Sequence, residues 1–224
     1  MKISKILFVH ASRERVERAY KAYQSLIGGM KSGTPYRYIL SLDTDDKYLK
    51  EYSEVFSVLP NVQIIVEENN GCVSATNKGV ALLEDEDLIF INGDDLISPE
   101  GWDKKLLDHI TPVDKDVFLV HLPHNIPNSA NCAILQCVSS GFYKKRGFFF
   151  YPEFVSMHAD NEIFLYAKAA NEIITGPEIE FVHEHPTLGF DVPFDETYKR
   201  TNRRENFVIG ERVLDKRIKE NFGL

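Results

Sequence analysis

Two adjacent carboxylates, Asp94 and Asp95, are the side chains in this 224-residue chain whose type and spacing best suit a cation. They directly follow the apolar segment 88–91, which predicts a buried strand ending at the acidic pair. Adjacent carboxylates at a strand end can place one side chain on a hard divalent cation and the other on a neighbouring ligand group or a metal-bound water. A strand-to-helix turn also favours aspartate, so the pair taken alone is open to a purely structural interpretation.

Further side chains suited to chemistry lie on both sides of this pair. Asp43 follows an apolar segment, and Asp160 stands where a helix begins. His183 and His185 are two residues apart on or just after a predicted strand, so their side chains share one face and Glu184 points away. The structural alternatives are that Asp160 stabilises a helix N-terminus and that the histidines are polar residues at a strand end.

Alternating strands and helices in the first half predict a mainly parallel sheet with helices on both faces. We predict strands at 3–9, 36–42, 62–66 and 88–91, a helix with Val16, Tyr20, Tyr23, Leu26 and Ile27 on one face, a helix at 73–83, and a helix opened by Ser98-Pro99-Glu100 with Trp102, Leu106, Leu107 and Ile110 inward. In such sheets ligands bind beyond the carboxyl ends of the strands. The polar loops 12–15, 43–46, 69–71 and 92–95 are therefore the expected site.

The second half is less regular. We predict strands at 117–122, 133–138 and 179–183, a Pro/Asn-rich loop after the first of them, an aromatic stretch at 148–151, a helix from about Asp160 with Ile163, Phe164, Ala167 and Ala170 on one face, and a terminal amphipathic helix carrying Phe207, Leu214 and Ile218. No internal repeat or linker separates the halves. We expect one domain over 1–224 whose halves, 1–115 and 116–224, share one sheet.

The composition bounds the class of protein. With 43% hydrophobic and 27% charged residues, the chain can bury one sizeable core. It has no apolar run of the roughly 18–20 residues that a membrane span requires, and its N-terminal stretch lacks a cleavable signal pattern, so we expect a cytoplasmic protein. Cys72, Cys132 and Cys137 lack metal-ligand spacing, and we expect them to stay reduced.

The net charge of -8 argues weakly against duplex nucleic acid as a ligand, although a nucleic acid acceptor is not excluded. Basic residues do cluster at two places, Lys144, Lys145 and Arg146, and Lys199, Arg200, Arg203 and Arg204. Either cluster is a solvated surface or a local site for an anionic ligand.

Several strings resemble those of GT-A glycosyltransferases of the family-two type. IFINGDDLISPEGWDKKL is similar to their DxD region, in which an apolar strand ends in an acidic motif soon followed by proline and tryptophan. NNGCVSATNKGV resembles the segment before that strand, SSGFYKKRGFFFYPEFVSMHADNEIFL the acceptor-side segment, and VHEHP a late element of the metal site. The resemblance implies an α/β GT-A fold, with a mixed, mainly parallel sheet flanked by helices.

The resemblance also implies an activity and its partners. Such an enzyme transfers a sugar from a nucleoside-diphosphate sugar, with a UDP-sugar favoured here, to an acceptor hydroxyl, with inversion and with Mn2+ or Mg2+ as cofactor. A mixed aspartate and histidine shell would suit manganese better than calcium. The acceptor has no motif in the sequence.

Carried onto this chain, the resemblance assigns the donor side of the site residue by residue. Asp95 matches the metal ligand and Asp94 the residue that contacts the donor ribose or the metal shell. Asp43, in YILSLDTDD, matches the carboxylate that binds the nucleotide base, with Asp45 left as its alternative. The remaining donor-binding matches are Ser12 and Arg13 after the first strand, Asn70 in the Asn-Gly turn, and Asn77 at the far end of the following helix.

The acceptor side is assigned in the same way. Asp160 matches the general base, which takes the proton of the attacking hydroxyl. His183 or His185 matches the histidine that completes the metal site. The segment 189–204 is expected to be a loop that closes over bound donor, with Lys199, Arg200, Arg203 or Arg204 supplying positive charge to the diphosphate.

Two other functions compete with this interpretation. A nucleotidyltransferase also places metal-binding carboxylates at strand ends, but its phosphate-binding loop is usually glycine-rich, whereas this chain has HASRERVER. A non-catalytic nucleotide- or sugar-binding module would keep the fold without the activity. A dinucleotide-binding enzyme is disfavoured because no GxGxxG follows a strand.

Overall fold

The computed structural model describes residues 3–127 and 132–224. Part of the predicted Pro/Asn-rich loop, 128–131, lies outside the described residues. The strands are β1 (Ile6–Ala11), β2 (Tyr36–Asp43), β3 (Val62–Glu67), β4 (Leu88–Asn92), β5 (Leu96–Ile97), β6 (Leu119–His121), β7 (Gln136–Ser139), β8 (Ile173–Thr175) and β9 (Val182–His183). The helices are α1 (Val16–Gly28), α2 (Leu49–Phe56), α3 (Gly71–Val80), α4 (Trp102–Ile110), α5 (Ser140–Arg146), α6 (Ala159–Ala169), α7 (Glu196–Thr201) and α8 (Arg204–Lys219), with short 3-10 turns at Pro186–Leu188 and Asn221–Gly223.

Both halves of the chain contribute to one seven-stranded sheet, in the order β3-β2-β1-β4-β7-β6-β8. Among the described strands of this sheet, β7 alone runs against the others. Because β1, β2 and β4 are parallel neighbours, their carboxyl ends meet at one edge of the sheet, where His10 lies opposite both Leu40 and Asn92. The predicted fold class and the shared sheet are confirmed.

A second, two-stranded sheet lies beside the end of β4. In it β5 pairs antiparallel with β9, with Leu96 opposite His183. The ladder is extended by the Glu184 N–H, which donates to the Asp95 carbonyl at 2.8 Å. A strand that directly follows the acidic pair is thereby joined to one from the far end of the chain.

Two apolar layers cover the faces of the main sheet, and alternate residues of each strand point into one or the other. On one face Phe8 packs with α1, α2 and α4, whose most buried members include Leu26, Phe56 and Trp102. On the other face Val9 packs with side chains of α3, α5, α6 and α8. The inward faces predicted for α1 and α4 agree with this packing.

The terminal helix α8 exists as predicted, and of the three apolar residues named for it Leu214 packs against the core. Phe207 and Ile218 are exposed, and the buried residues are Gly210, Val213 and Arg217. Gly210 is required because a Cβ there would overlap the carbonyl oxygen of Met157.

Arg217 is buried because it meets a buried acid. Its Nε donates to Glu162 of α6 at 3.1 Å, and Arg146 of α5 donates to the same carboxylate at 2.6 Å. The Arg146 and Glu162 side chains are both 0% exposed. Arg146 therefore belongs to the core, which corrects the prediction for this one residue, while Lys144 and Lys145 are exposed as the solvated-surface alternative expected.

Several short elements were not predicted. They are α2, α5 and β8, with eight, seven and three residues, and the two-residue strand β5 was not predicted either. The segment 189–204 was predicted as a loop, but it contains α7, because Asp195 caps that helix by accepting the Tyr198 N–H at 2.9 Å.

No helix in the described parts of the chain is both long and apolar enough to cross a membrane.

Candidate functional site

A cavity of about 510 Å³ opens at the carboxyl ends of β1, β2 and β4. Nine of the residues singled out for the site in the sequence line it: Ser12, Arg13, Asp43, Asp45, Asn70, Asp94, Asp95, Arg200 and Arg203. Its other walls come from the start of α3, from Val155 and Ser156, and from residues between Thr197 and Asn206. The fold thus brings polar loops from four parts of the chain together around one space, at the edge where parallel sheets place ligands.

The second acidic residue of the pair, Asp95, is held against a histidine. Its Oδ2 lies 3.0 Å from His183 Nε2, and the two side chains are 16% and 21% exposed. The pairing of β5 with β9 produces this contact, since it aligns the residue after Asp95 with His183. The predicted metal residues Asp95 and His183 are therefore neighbours, although 88 positions separate them in the sequence.

Electrostatics keep Asp95 ionised. Burial by itself would raise the pKa of this carboxyl, but hydrogen bonding to His183, the charge of that histidine and a hydrogen bond from Tyr198 together hold the pKa well below its usual range. The Tyr198 hydroxyl donates to Asp95 Oδ2 at 2.8 Å. A carboxylate that stays charged in a largely buried position is suited to binding a cation.

The residues at this position fit a divalent cation of the manganese type. Carboxylate oxygen and imidazole nitrogen converge on one point, and the buried His183 Nδ1 has no hydrogen-bond partner within the described chain. Within residues 3–127 and 132–224, the one group of three or more acidic, histidine or cysteine ligand atoms lying close together is Glu84, Asp85 and Glu86, away from this cavity. Among the described residues the candidate protein ligands are therefore Asp95 and His183, and the further ligands of an octahedral ion would come from the substrate and water.

The other candidate histidine, His185, is directed elsewhere. Its Nδ1 lies 2.7 Å from the Thr187 hydroxyl, and its ring packs 4.7 Å from that of Tyr198. The structure thus places His183, and not His185, in hydrogen-bonding contact with the acidic pair, because the strand pairing ends at His183.

The first acidic residue, Asp94, is 9% exposed and anchored on one oxygen. Asp94 Oδ1 accepts from His10 Nε2 at 2.9 Å and from Ser12 Oγ at 2.6 Å. Asp94 Oδ2 lies 3.8 Å from Arg15 Nη1. Ser12 therefore holds Asp94 through a hydrogen bond, and it also lines the cavity as predicted.

Three charged residues form the far wall beyond β2. Arg13 is paired with the carboxylates of both Asp43 and Asp45, donating to the two Asp45 oxygens at 2.6 and 2.8 Å. This pairing lowers the pKa of Asp45 and raises that of Arg13. Both acids line the cavity, so the choice between Asp43 and Asp45 as the base contact stays open.

The two asparagines of the NNGCVSATNKGV segment have different positions. Asn70 lines the cavity at the start of α3, where Gly71 adopts a φ of 82° and a Cβ would overlap the Val155 carbonyl oxygen. Asn77 was predicted to bind the donor and is instead outside the cavity lining. Its carboxamide accepts from the Phe150 N–H and donates to the Phe150 carbonyl, both at 2.8 Å.

Asp160 is in the first turn of α6, as predicted, but it is not among the residues that line the cavity. Its charge nevertheless reaches the cavity wall. The atoms packed around the thiol of the lining residue Cys72 and then the charge of Asp160 raise the pKa of Cys72 to about 11, although part of the residue is exposed. Burial and then the charge of Asp160 also raise the pKa of the Cys132 thiol. The charge of Asp160 thus acts on one residue of the cavity wall, Cys72.

Three residues that received no individual role from the sequence lie close to the acidic pair: Arg15, Asp195 and Tyr198. Arg15 donates to both oxygens of Asp195, at 2.7 and 2.6 Å, and its guanidinium lies 3.9 Å from the centre of the Tyr198 ring. These contacts fasten α7 over the acidic pair. Sequence patterns gave no signal for them, because 180 positions separate Arg15 from Asp195.

Of the four basic residues proposed for the diphosphate, two line the cavity, Arg200 and Arg203. Lys199 is instead exposed and paired with Glu196 at 2.6 Å, and Arg204 lies outside the lining. The cavity therefore carries Arg13, Arg15, Arg200 and Arg203 along its sides and two aspartates at its floor, an arrangement that can bind an anionic ligand together with a cation.

Solved structures with the same fold are glycosyltransferases that differ widely in sequence. TarS 1-349 from S. aureus, in complex with UDP-GlcNAc, superposes with a TM-score of 0.70 at 13% identity over 94% of this chain. A mannosyltransferase from Pyrobaculum calidifontis with GDP-Man and Mn2+ gives 0.59 at 13% identity, covering 79% of this chain and 56% of that chain. A Drosophila β-1,4-galactosyltransferase 7 mutant with manganese, UDP-Gal and xylobiose gives 0.56 at 15% identity, covering 90% and 81%.

The chain spans 65% of the TarS chain, which is less than two thirds of its length. No curated protein sequence matches it. The family model of glycosyl transferase family 2 matches residues 10–172, which include the end of β1, the strands β2 to β7, the acidic pair and Asp160. The match covers well over half of the chain, and the sheet has the GT-A architecture. The chain therefore belongs to glycosyl transferase family 2, a family of GT-A glycosyltransferases.

Proposed function

We propose that this protein transfers a sugar from a nucleoside-diphosphate sugar to an acceptor hydroxyl, with inversion and with Mn2+ or Mg2+ bound at Asp95 and His183. The observation that carries the proposal is the contact of His183 with Asp95, a residue that lines the polar cavity. Bound there, the cation would balance the charge of the departing diphosphate. The half 1–115 would bind the nucleotide sugar and the half 116–224 the acceptor.

The walls of the cavity divide naturally among the parts of the donor. Asp94 Oδ2, free of the hydrogen bonds that hold Oδ1, would accept from a ribose hydroxyl. Asp43 or Asp45 would accept the ring N–H of the base, and Asn70 would contribute a side-chain amide to the donor. Arg200 and Arg203 would face the diphosphate. UDP-sugars are the first donors to test, because TarS is solved with UDP-GlcNAc.

Asp160 is proposed as the general base. The acceptor oxygen would attack the anomeric carbon while the bond from that carbon to the diphosphate oxygen breaks. The hydroxyl proton would pass to the Asp160 carboxylate, and the nucleoside diphosphate would leave with the bonding electrons. The support for this role is that Asp160 stands in the first turn of α6 and that its charge acts on the lining residue Cys72.

Donor hydrolysis tests the proposal without knowledge of the acceptor. The protein is incubated with UDP-, GDP- or TDP-sugars and Mn2+, and release of nucleoside diphosphate is followed. We expect release from one donor class, its loss with EDTA, and its loss in Asp95→Asn. The matched control is Asp108→Asn, at an exposed carboxylate paired with Lys104 on α4, which should hydrolyse at the wild-type rate. A nucleotide-binding module without activity would instead be stabilised by a nucleotide and release nothing.

A further inference from the structure

The strand β1 buries a histidine directly beneath the acidic pair. His10 is 0% exposed, and both of its ring nitrogens have partners. Nδ1 lies 2.5 Å from the Tyr38 hydroxyl, and Nε2 lies 2.9 Å from Asp94 Oδ1. The imidazole therefore connects the middle of the sheet to the first residue of the acidic pair.

The partners of His10 determine its tautomer. An ionised carboxylate only accepts, so His10 Nε2 carries the hydrogen that Asp94 receives. Nδ1 is then the acceptor and takes the hydrogen of the Tyr38 hydroxyl. Asn92 Nδ2 donates in turn to the Tyr38 oxygen at 3.0 Å. Every donor in this line of contacts points the same way, from Asn92 towards Asp94.

A second line of donors reaches the same oxygen. The backbone N–H of Arg15 donates to the Tyr52 hydroxyl at 3.0 Å, and the hydroxyls of Tyr52 and Ser12 share a hydrogen bond of 2.6 Å. Because Ser12 gives its own hydrogen to Asp94 Oδ1, the Tyr52 hydroxyl is the donor to Ser12. Both lines end on Oδ1 of Asp94, which fixes the rotation of that carboxylate and leaves Oδ2 without a hydrogen bond from either line, 3.8 Å from Arg15 Nη1.

We propose that His10 is a positioning residue for the donor: it holds Asp94 in the one orientation in which Oδ2 meets the ribose of a bound nucleoside diphosphate. The inference rests on the proposed function, since it needs a nucleotide in the cavity. His10 itself touches no substrate. Buried hydrogen-bond networks of this kind specify one arrangement of their members, and loss of a supporting partner typically weakens binding about 10- to 100-fold.

Two nucleotides separate a positioning role from a structural one. The dissociation constants of UDP and of 2′,3′-dideoxy-UDP are measured by calorimetry with Mn2+ for wild type and for His10→Leu. The wild type should bind UDP more tightly than the dideoxy compound. His10→Leu should weaken UDP binding by about 10-fold or more and leave the dideoxy compound nearly unaffected, which removes the preference. A purely structural role would weaken both nucleotides alike and would overturn the proposal.

Two further variants serve as controls. His10→Gln places an amide N–H donor near Asp94 and should recover most of the preference for UDP. Phe8→Leu, two residues earlier on the same face of β1 and also 0% exposed, should lower stability and keep the preference. If Phe8→Leu loses the preference as His10→Leu does, the proposal fails.

A measurement on the free protein covers the case in which His10→Leu does not fold. Long-range 1H–15N spectra of the wild type, with the His10 signals identified by their loss in His10→Gln, should show the Nε2–H tautomer. An Nδ1–H tautomer would overturn the proposal. Failure of the wild type to bind any nucleoside diphosphate would overturn the proposed function instead. Equal wild-type affinity for UDP and the dideoxy compound would leave that function standing and refute the role of His10.

Discussion

Replacing Glu162 by glutamine would leave two buried guanidinium groups without their shared carboxylate. Arg146 and Arg217 donate to opposite oxygens of Glu162, at 2.6 and 3.1 Å, and the side chains of Arg146, Glu162 and Arg217 are 0%, 0% and 7% exposed. This contact joins α5 and α8 to the first turns of α6, the helix that carries Asp160. Glutamine keeps the shape of the side chain and removes the charge.

The expected loss of stability follows from the burial. Removing one partner of a buried ion pair costs about 3–5 kcal/mol, because the remaining charge stays desolvated and unpaired. For a chain of this size each kcal/mol lowers the melting temperature by roughly 2–4 °C, so the fall in Glu162→Gln should be about 6–20 °C.

Urea unfolding followed by circular dichroism, with a thermal melt beside it, measures the effect. The matched variant is Glu54→Gln, since Glu54 pairs with Lys50 at 3.6 Å and both side chains are exposed, at 63% and 85%. An ion pair reaching the surface contributes about 0–1 kcal/mol, and that variant should change stability by no more. If the two variants lose the same stability, the burial argument is refuted.

Three further predictions concern the site. Asp160→Asn should lower the rate of donor hydrolysis by about 100-fold or more and leave the affinity for UDP unchanged, and a retained rate would remove Asp160 from the role of base. Asn77→Ala should lower the free energy of unfolding in urea by about 1–3 kcal/mol, because it leaves the Phe150 backbone groups unpaired, and UDP binding should stay at the wild-type level. Weaker UDP binding at unchanged stability would instead make Asn77 a residue that contacts the donor. Arg203→Ala should weaken UDP binding several-fold more than Arg204→Ala, as only the former lines the cavity, and the difference should shrink at high salt; equal effects would place the diphosphate elsewhere.

The fold was predictable where apolar spacing determines it. The strands before and after α1, and the helix carrying Trp102, show their buried faces as simple periodicity, and the structure confirms them. The short helix α2 was missed because only Tyr52 and Phe56 of its eight residues are buried. In α8 the spacing predicted Phe207 and Ile218 to be buried, although both are exposed, and it gave no sign of Arg217, since an arginine that is buried by a distant acid looks like a surface residue in a sequence.

The site was predictable where local motifs carry it. The acidic pair, Asp43 and Ser12 follow strands directly, so the rule that ligands bind beyond strand ends located them. Contacts between distant segments could not be predicted from the sequence. These are the hydrogen bonds of Arg15 with Asp195 and of Tyr198 with Asp95. His10 was missed for another reason, because a histidine inside an apolar strand gives no pattern until its partners on neighbouring strands are known.

The central claim is that Asp95 and His183 hold a divalent cation on which nucleotide binding depends. Calorimetric titration of UDP into the wild-type protein, with Mn2+ and then with EDTA, tests it most directly, beside the same titrations of Asp95→Asn. We predict binding that requires Mn2+ in the wild type and is lost in Asp95→Asn. Equal affinity with and without the metal, or an unchanged affinity in Asp95→Asn, would contradict the claim.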